Sequence, residues 1–169
     1  MHIRHARPGD LERVVAILNQ SAAFPVGLDQ RRDWFHERDP GRRPLWVAEL
    51  DGVVVGWLAV DDFYGRVGYE GSVQIGAYVD RAHRDGGIGT ALLEHSIERA
   101  PALHIATIVS YILADNVVPI AICAAHGFQE WGRLPGVARA GDVVIMGLRV
   151  ADASRSRSDH RDTAIARSR

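Results

Sequence analysis

The amino-acid sequence of 169 residues predicts a mixed α/β domain built around one hydrophobic core. Hydrophobic residues make up 47% of the chain, which is sufficient for a single core at this length. Segments with the alternating pattern of strands are interspersed with segments that repeat at the spacing of helices. A glycine cluster (Gly86, Gly87 and Gly89) separates a predicted strand from a predicted helix near the middle of the chain.

The first part of the chain predicts a strand, two helices and a hairpin. Residues 2–7 can form the strand, and apolar residues from Leu11 to Leu18 recur at the spacing of an amphipathic helix after a Pro-Gly-Asp turn. A weaker helical pattern covers about 28–38. The runs LWVAEL and VVVGWLAV are joined by Asp-Gly at 51–52, which is a strong signal for a β-hairpin.

The second part predicts four more strands and two more helices. The strand SVQIGAYV precedes the glycine cluster, and a helix follows at about 87–99. HIATIVSYI reads as a buried strand. Asn116 and Pro119 then mark the start of a helix that ends near Gly127. FQEWGRL and DVVIMGLRV predict the last two strands.

Charge and composition restrict the possible partners and locations. The net charge is −1, so no overall field favours nucleic acid or a membrane, and we expect neither as a partner. The domain spans 1–150, because the segment 151–169 lacks an apolar period and is predicted to be a disordered Arg/Ser/Asp tail. The single cysteine, Cys123, excludes internal disulfides and fits a reducing compartment. Without a signal-peptide core or a long apolar run, the chain is expected to be cytoplasmic, and no metal site is expected.

The glycine cluster indicates a loop that can bind an anion. A Walker loop requires a lysine after its last glycine, but Gly89 is followed by Thr90 and Ala91 and the chain contains no lysine. The dinucleotide fingerprint fits only in part, because Leu92 stands where a small residue is needed. What remains is a loop with Arg84 before a helix start, whose backbone N–H groups and dipole can hold an anion. A purely structural turn is the alternative.

Several segments together resemble one enzyme superfamily. The pattern Arg84-x-x-Gly87-x-Gly89 after a strand resembles the acetyl-coenzyme A pyrophosphate loop of GNAT superfamily N-acetyltransferases, and ILADNVVPIAICAAHGFQEWGRL resembles their last motif. DDFYGRVGYEGSVQIGAYVD and DVVIMGLRV are similar, more narrowly, to the phosphinothricin and methionine sulfoximine acetyltransferase group. The resemblance covers about 2–150. It implies the α/β (α+β) GNAT fold, in which helices flank a central mixed, mostly antiparallel sheet.

The resemblance implies direct transfer of an acetyl group from acetyl-CoA to the primary amine of a small molecule, and a possible homodimer. An acetyl-CoA-binding sensor with little turnover is the alternative. Asp85 is expected to face solvent, since a carboxylate beside a pyrophosphate is unfavourable, and a helix cap is the alternative role of Asn116. The implied coenzyme contacts are Ala77, Tyr78, Val79, Arg84, Asp85, Gly86, Gly87, Ile88, Gly89, Thr90 and Asn116.

Two catalytic positions implied by the resemblance carry other residues here. Gln74 stands where the group has a glutamate that draws off the amine proton, and Cys123 stands where it has an assisting histidine. Glutamine cannot accept a proton, so we expect slow turnover of phosphinothricin-type compounds or a preference for a less basic amine. Glu70 is the nearest carboxylate, with a surface loop role as the alternative. Cys123 is either a proton donor or a small buried hydrophobe. Tyr78 and Tyr111 are further candidate donors, with packing as the alternative role of each.

The acceptor pocket is expected to involve three segments. These are 24–36, the FYGRVGY loop and 131–141. Trp34, Arg66 and Arg139 are candidates for holding a carboxylate or an apolar group of the acceptor, with ordinary surface positions as the alternative. The sequence alone does not identify the acceptor.

Overall fold

The computed structural model describes residues 1–21 and 25–150, so the predicted tail at 151–169 lies outside the described residues. Within them the chain forms seven strands and four helices in the predicted order. The strands are β1 (His2–His5), β2 (Leu45–Leu50), β3 (Val53–Asp62), β4 (Ser72–Val79), β5 (Thr107–Leu113), β6 (Gln129–Ala138) and β7 (Gly141–Arg149). The helices are α1 (Leu11–Asn19), α2 (Leu28–His36), α3 (Ile88–Arg99) and α4 (Val117–Ala125).

All the strands belong to one sheet with the order β1-β2-β3-β4-β5-β7-β6. Every pair of neighbouring strands in the described chain is antiparallel except β4 and β5, which are parallel. The β2–β3 hairpin turns at Asp51 and Gly52, whose φ angles of 48° and 80° are those a tight two-residue turn requires. The predicted mixed, mostly antiparallel sheet flanked by helices is therefore confirmed.

The helices divide the hydrophobic core between the two faces of the sheet. One face packs against α3 and α4 and includes the fully buried Leu58, Leu92 and Ile108. The other face packs against α1 and α2 around Trp57, whose indole N–H donates to the carbonyl oxygen of Val14 at 3.0 Å. This second cluster covers only the β2–β4 half of the sheet. Among the described residues, no helix covers the opposite half of that face.

Two further properties bear on the sequence predictions. No helix in the described part of the chain is long and apolar enough to cross a membrane. Across residues 1–21 and 25–150, no group of three or more His, Cys, Asp or Glu side chains is placed to hold a metal ion.

Candidate active site

The gap between β4 and β5 is the main opening in the sheet. The two strands pair only from Ser72 to Gln74, although β4 continues to Val79 along β3. The hydroxyl of Ser110 donates to the carbonyl oxygen of Ile75 at 3.4 Å, and beyond this link β5 follows β7 instead. The end of β4 is therefore an unpaired strand edge inside the sheet.

The hydrogen-bonding pattern shows which backbone groups face the gap. The N–H of Asp80 donates to the carbonyl oxygen of Val55 at 2.8 Å. Along an antiparallel pair of strands, residues directly opposite each other alternate between hydrogen-bonded and non-hydrogen-bonded pairs. By this alternation Tyr78 exchanges its hydrogen bonds with Trp57 on β3. The N–H and C=O groups of Ala77 and Val79 point the other way, into the gap. An extended ligand can add to such an edge as a further strand.

The loop after β4 ends at the start of α3. Gly87 begins that helix with φ 74° and ψ 4°, a left-handed conformation that costs a side-chain-bearing residue about 1 kcal/mol or more. Asp85 also has a positive φ, of 66°, and its side chain is exposed as expected. The N–H groups of the first turn of α3 have no partner within the helix. Together with the helix dipole they favour an anion at this end of the gap.

A second glycine allows α3 to approach the sheet closely. A Cβ atom at Gly56 would lie 2.9 Å from Cγ2 of Ile88 and 3.2 Å from the carbonyl oxygen of Tyr78. Because real Cβ contacts are longer, a side chain at position 56 would require the Ile88 side chain or the start of α3 to shift. Gly56 is not among the residues predicted from the sequence, although a glycine inside a strand often marks such a close approach.

The loop is fastened to α1 through Asp80. The Ala82 N–H donates to its carboxylate at 2.8 Å, and Gln20 and Arg13 donate to the other oxygen. These hydrogen bonds hold the pKa of Asp80 well below its usual range, although burial acts in the opposite direction. Arg84 is exposed and donates to the hydroxyl of Ser21 at 2.8 Å. Its guanidinium therefore lies at the surface beside the helix start.

Asn116 lies at the N-terminal end of α4 but does not cap it. Its side chain makes no capping hydrogen bond, while its N–H donates to the carbonyl oxygen of Leu113 at 2.9 Å. Asn116 therefore occupies the predicted N-cap position, but its side chain does not act as a cap. The exposed amide follows the end of β5, across the gap from β4, and remains free to contact a ligand.

The structure separates the candidate catalytic residues. The exposed Glu70 accepts two hydrogen bonds from the N–H of Gly68, at 3.0 and 2.9 Å, which lower the pKa of Glu70. It therefore fits the surface-loop role. Cys123 is only 5% exposed within the core, and burial raises its pKa to about 11. Cys123 therefore fits the role of a small buried hydrophobe better than that of a proton donor.

The two tyrosines occupy different environments. Tyr78 stacks on Trp57 with ring centroids 4.5 Å apart, and burial raises the pKa of Tyr78. Tyr111 is 44% exposed on β5. Tyr78 is thus chiefly a packing residue of the wall beneath α2, whereas the Tyr111 hydroxyl is open to solvent.

Gln74 faces a polar cluster that the sequence analysis did not predict. Asp61 lies directly opposite Gln74 in the β3–β4 ladder. Oδ1 of Asp61 accepts hydrogen bonds from Arg38 at 2.5 Å and from the indole N–H of Trp34 at 3.3 Å. Arg38 also covers the Trp34 ring at 4.1 Å from its centroid. Strand register brings these residues together, and register was not readable from the sequence.

The three predicted acceptor residues do not come together. Trp34 belongs to the cluster beside Gln74, but Arg66 lies over the ring of Tyr64 at 5.2 Å. There it lines an open cavity of about 220 Å³ with Asp62 and Glu70. Arg139 lies in the turn between β6 and β7. Of the predicted segment 24–36, residue 24 lies outside the described residues.

Comparisons with known proteins agree with this geometry. The acetyltransferase (GNAT) family matches residues 11–128. A Bacillus subtilis protein with the provisional name phosphinothricin acetyltransferase is 37% identical over 147 residues, which cover 82% of this chain and 90% of that protein. The L-methionine sulfoximine/L-methionine sulfone acetyltransferase of Pseudomonas aeruginosa is 32% identical over 144 residues, covering 80% and 84%.

A solved structure gives the same result in three dimensions. A provisionally named acetyltransferase from Salmonella typhimurium, solved with its cofactor acetyl-CoA, superposes with a TM-score of 0.82 at 27% identity. The match covers 89% of this chain and 94% of that one. The match therefore extends over most of the chain.

Proposed function

The chain belongs to the acetyltransferase (GNAT) family, and from this premise we propose that it transfers the acetyl group of acetyl-CoA to the primary amine of a small molecule. The acceptor class we propose is an amino acid analogue or xenobiotic of phosphinothricin type. Relatives named for phosphinothricin and for methionine sulfoximine support this choice. The observation that carries the proposal is the unpaired edge of β4, which leads directly into the anion-binding start of α3.

The proposed coenzyme contacts lie along the gap and the loop that follows β4. Its pantetheine arm would add to the β4 edge through the backbone of Ala77 and Val79. Its pyrophosphate would lie against the N–H groups at 84–90, where Gly87 turns the chain into α3. Asn116 would contact it from the other side of the gap. Acetyl-CoA itself supplies an activated thioester.

The chain supplies the groups that the transfer step needs. A backbone N–H on the β4 edge can donate to the thioester oxygen as that oxygen gains charge. The side-chain amide of Gln74 is partly exposed and has no hydrogen-bond partner among the described residues, so it is free to orient the acceptor or a water molecule. Fixing both reactants in the gap removes much of the entropic cost of their encounter.

Arg31 is a further candidate for holding the acceptor. Its guanidinium lies 5.1 Å from the centroid of Trp34, and the described residues provide no carboxylate partner for it. An amino acid analogue carries both an amine and an acidic group. Arg31 could hold the acidic group while the amine approaches the Gln74 side of the gap.

We further propose that the open apolar half of the sheet is covered by a second copy of the chain. Its exposed side chains are Tyr111, Leu113, Trp131, Leu134 and Val137. A contiguous apolar surface of this kind marks an interaction site. Sedimentation of the full chain should give a dimer, and a monomer at micromolar concentration would contradict this part of the proposal. A cytoplasmic location completes the proposal, because that compartment supplies acetyl-CoA.

The proposed activity is tested by binding followed by turnover. Calorimetry should show that acetyl-CoA binds, and free thiol should then be released with one or more members of a panel that includes phosphinothricin and methionine sulfoximine. Tight binding without thiol release above the buffer blank would favour the sensor alternative. No binding would refute the assignment of the glycine loop.

A further inference from the structure

A carboxylate lies one strand away from the position where the transfer reaction lacks a base. Asp61 on β3 is the direct partner of Gln74 on β4, and both side chains are on the face covered by α1 and α2. Directly opposite residues in an antiparallel pair have Cβ atoms about 4.5–5.5 Å apart. An acceptor amine positioned by Gln74 is therefore within reach of Asp61, directly or through one water molecule.

The carboxylate of Asp61 is held in one orientation with one oxygen left open. Both of its side-chain hydrogen bonds, from Arg38 and Trp34, go to Oδ1. Arg38 is itself fixed, because it also donates to the carbonyl oxygens of Val60 at 2.8 Å and Trp34 at 3.1 Å and is only 11% exposed. Oδ2 accepts no hydrogen bond from the described residues, and the Asp61 side chain is 31% exposed. A fixed carboxylate with a free oxygen is what proton transfer requires.

The neighbouring carboxylates do not meet these conditions. Both oxygens of Asp62 accept hydrogen bonds from Arg42, and Arg43 donates to Oδ1 as well. Asp62 pairs with Val73, which packs into the core on the opposite face of the sheet. Glu70 is occupied by the backbone of its own loop. Asp61 alone among these three faces Gln74 with an open oxygen.

We propose that Asp61 accepts the proton of the acceptor's ammonium group through Oδ2 and thereby replaces the base that is absent at position 74. The proposal rests on the proposed function. One proton passes from the ammonium to Asp61, and the neutral nitrogen attacks the thioester carbon. As the C–N bond forms and the C–S bond breaks, a second proton of the nitrogen passes to the sulfur, directly or through water. Asp61 then releases its proton to solvent.

The test compares Asp61→Asn with the unchanged protein on two acceptors. With an amine that is protonated at pH 7, the variant should lose about 10²–10⁴-fold in kcat/KM, the usual contribution of general base catalysis. With an acceptor whose amine is already neutral at pH 7, the loss should be less than about tenfold, since that step is not needed. The Kd for acetyl-CoA should not change. Asp62→Asn is the matched control and should not discriminate between the two acceptors.

A second variant carries a carboxylate at position 74 instead of position 61. Adding Gln74→Glu to Asp61→Asn should restore at least about tenfold of the lost rate on the protonated amine. If Asp61→Asn does not fold because Arg38 loses its partner, the double variant Asp61→Asn/Arg38→Gln removes both charges and should show the same discrimination.

Three outcomes would overturn the proposal. A full rate for Asp61→Asn on the protonated amine would exclude Asp61 as the base. An equal loss on both acceptors would assign Asp61 a structural role. If the unchanged protein binds acetyl-CoA but acetylates no amine of either kind, the proposed function itself fails, and the role of Asp61 fails with it.

Discussion

Replacing Gly56 by alanine tests how closely α3 must approach the sheet. The added Cβ would lie 2.9 Å from Cγ2 of Ile88, whereas carbon atoms in good contact are about 3.5–4.0 Å apart. The Ile88 side chain, or the start of α3 that carries it, must therefore move by about 0.6 Å or more. The strand has little room to move instead, because the added Cβ would also lie 3.2 Å from the carbonyl oxygen of Tyr78.

The structure sets the size of the expected effect. Overpacking of this kind costs about 1–3 kcal/mol, and alanine recovers up to about 1 kcal/mol by restricting the unfolded chain. We expect Gly56→Ala to lower the free energy of unfolding by about 1–2 kcal/mol. Because the N–H groups proposed to hold the pyrophosphate begin at the same helix start, the Kd for acetyl-CoA should rise by about tenfold, which corresponds to about 1.4 kcal/mol.

Denaturant unfolding and calorimetric titration with acetyl-CoA measure the two effects separately. Gly132→Ala on β6 is the matched control, because a Cβ there would meet only the side chain of Ile145, at an ordinary 3.7 Å. The control should bind acetyl-CoA as the unchanged protein does. An unchanged Kd for Gly56→Ala would refute the link between this close approach and the coenzyme site.

Three other predictions follow from the described contacts. Cys123→Ala should leave kcat within about twofold and lower the melting temperature by a few degrees, since Cys123 is a core residue with a pKa raised to about 11. A large loss of kcat with unchanged stability would instead support Cys123 as a proton donor. The pKa of Asp80 in the folded chain is lower than its ordinary value of 3.8, so its charged form stabilises the fold at pH values above 3.8. This contribution is lost as the pH falls below 3.8. Urea unfolding of Asp80→Asn should therefore show a loss of about 1–3 kcal/mol at pH 7 and a weaker dependence on pH between about 5 and 3, whereas an unchanged acid slope would contradict the assignment. Arg84→Gln should raise the Kd for acetyl-CoA by about tenfold or more without changing the melting temperature, because the exposed guanidinium contributes little to the fold. A Kd equal to that of the unchanged protein would exclude Arg84 from the pyrophosphate site.

Local patterns in the sequence were sufficient to predict the elements of the fold. The Asp-Gly pair at 51–52 requires a tight turn, and the apolar residues of α1 recur at the spacing that buries one helix face. The glycine cluster also marked the start of α3 correctly, because a left-handed residue such as Gly87 restricts the choice of side chain. These signals depend on residues close together in the chain.

The arrangement of the site depends on distant residues and was not predictable in the same way. The sequence does not show where β4 stops pairing with β5 or that Asp61 lies opposite Gln74, since both depend on strand register. It likewise does not show that α2 places Arg38 against Oδ1 of Asp61. Linear proximity favoured Glu70 as the nearest carboxylate, but that side chain bonds to its own loop.

A single incubation tests whether the chain transfers an acetyl group from acetyl-CoA to an amine. The full chain is mixed with acetyl-CoA and methionine sulfoximine, and the products are examined by mass spectrometry beside a sample without protein. We expect an acceptor heavier by one acetyl group on its amine, together with an equal amount of free coenzyme A. Acetyl-CoA that remains bound and intact with this acceptor and with the whole amine panel would contradict the assignment of an acetyltransferase.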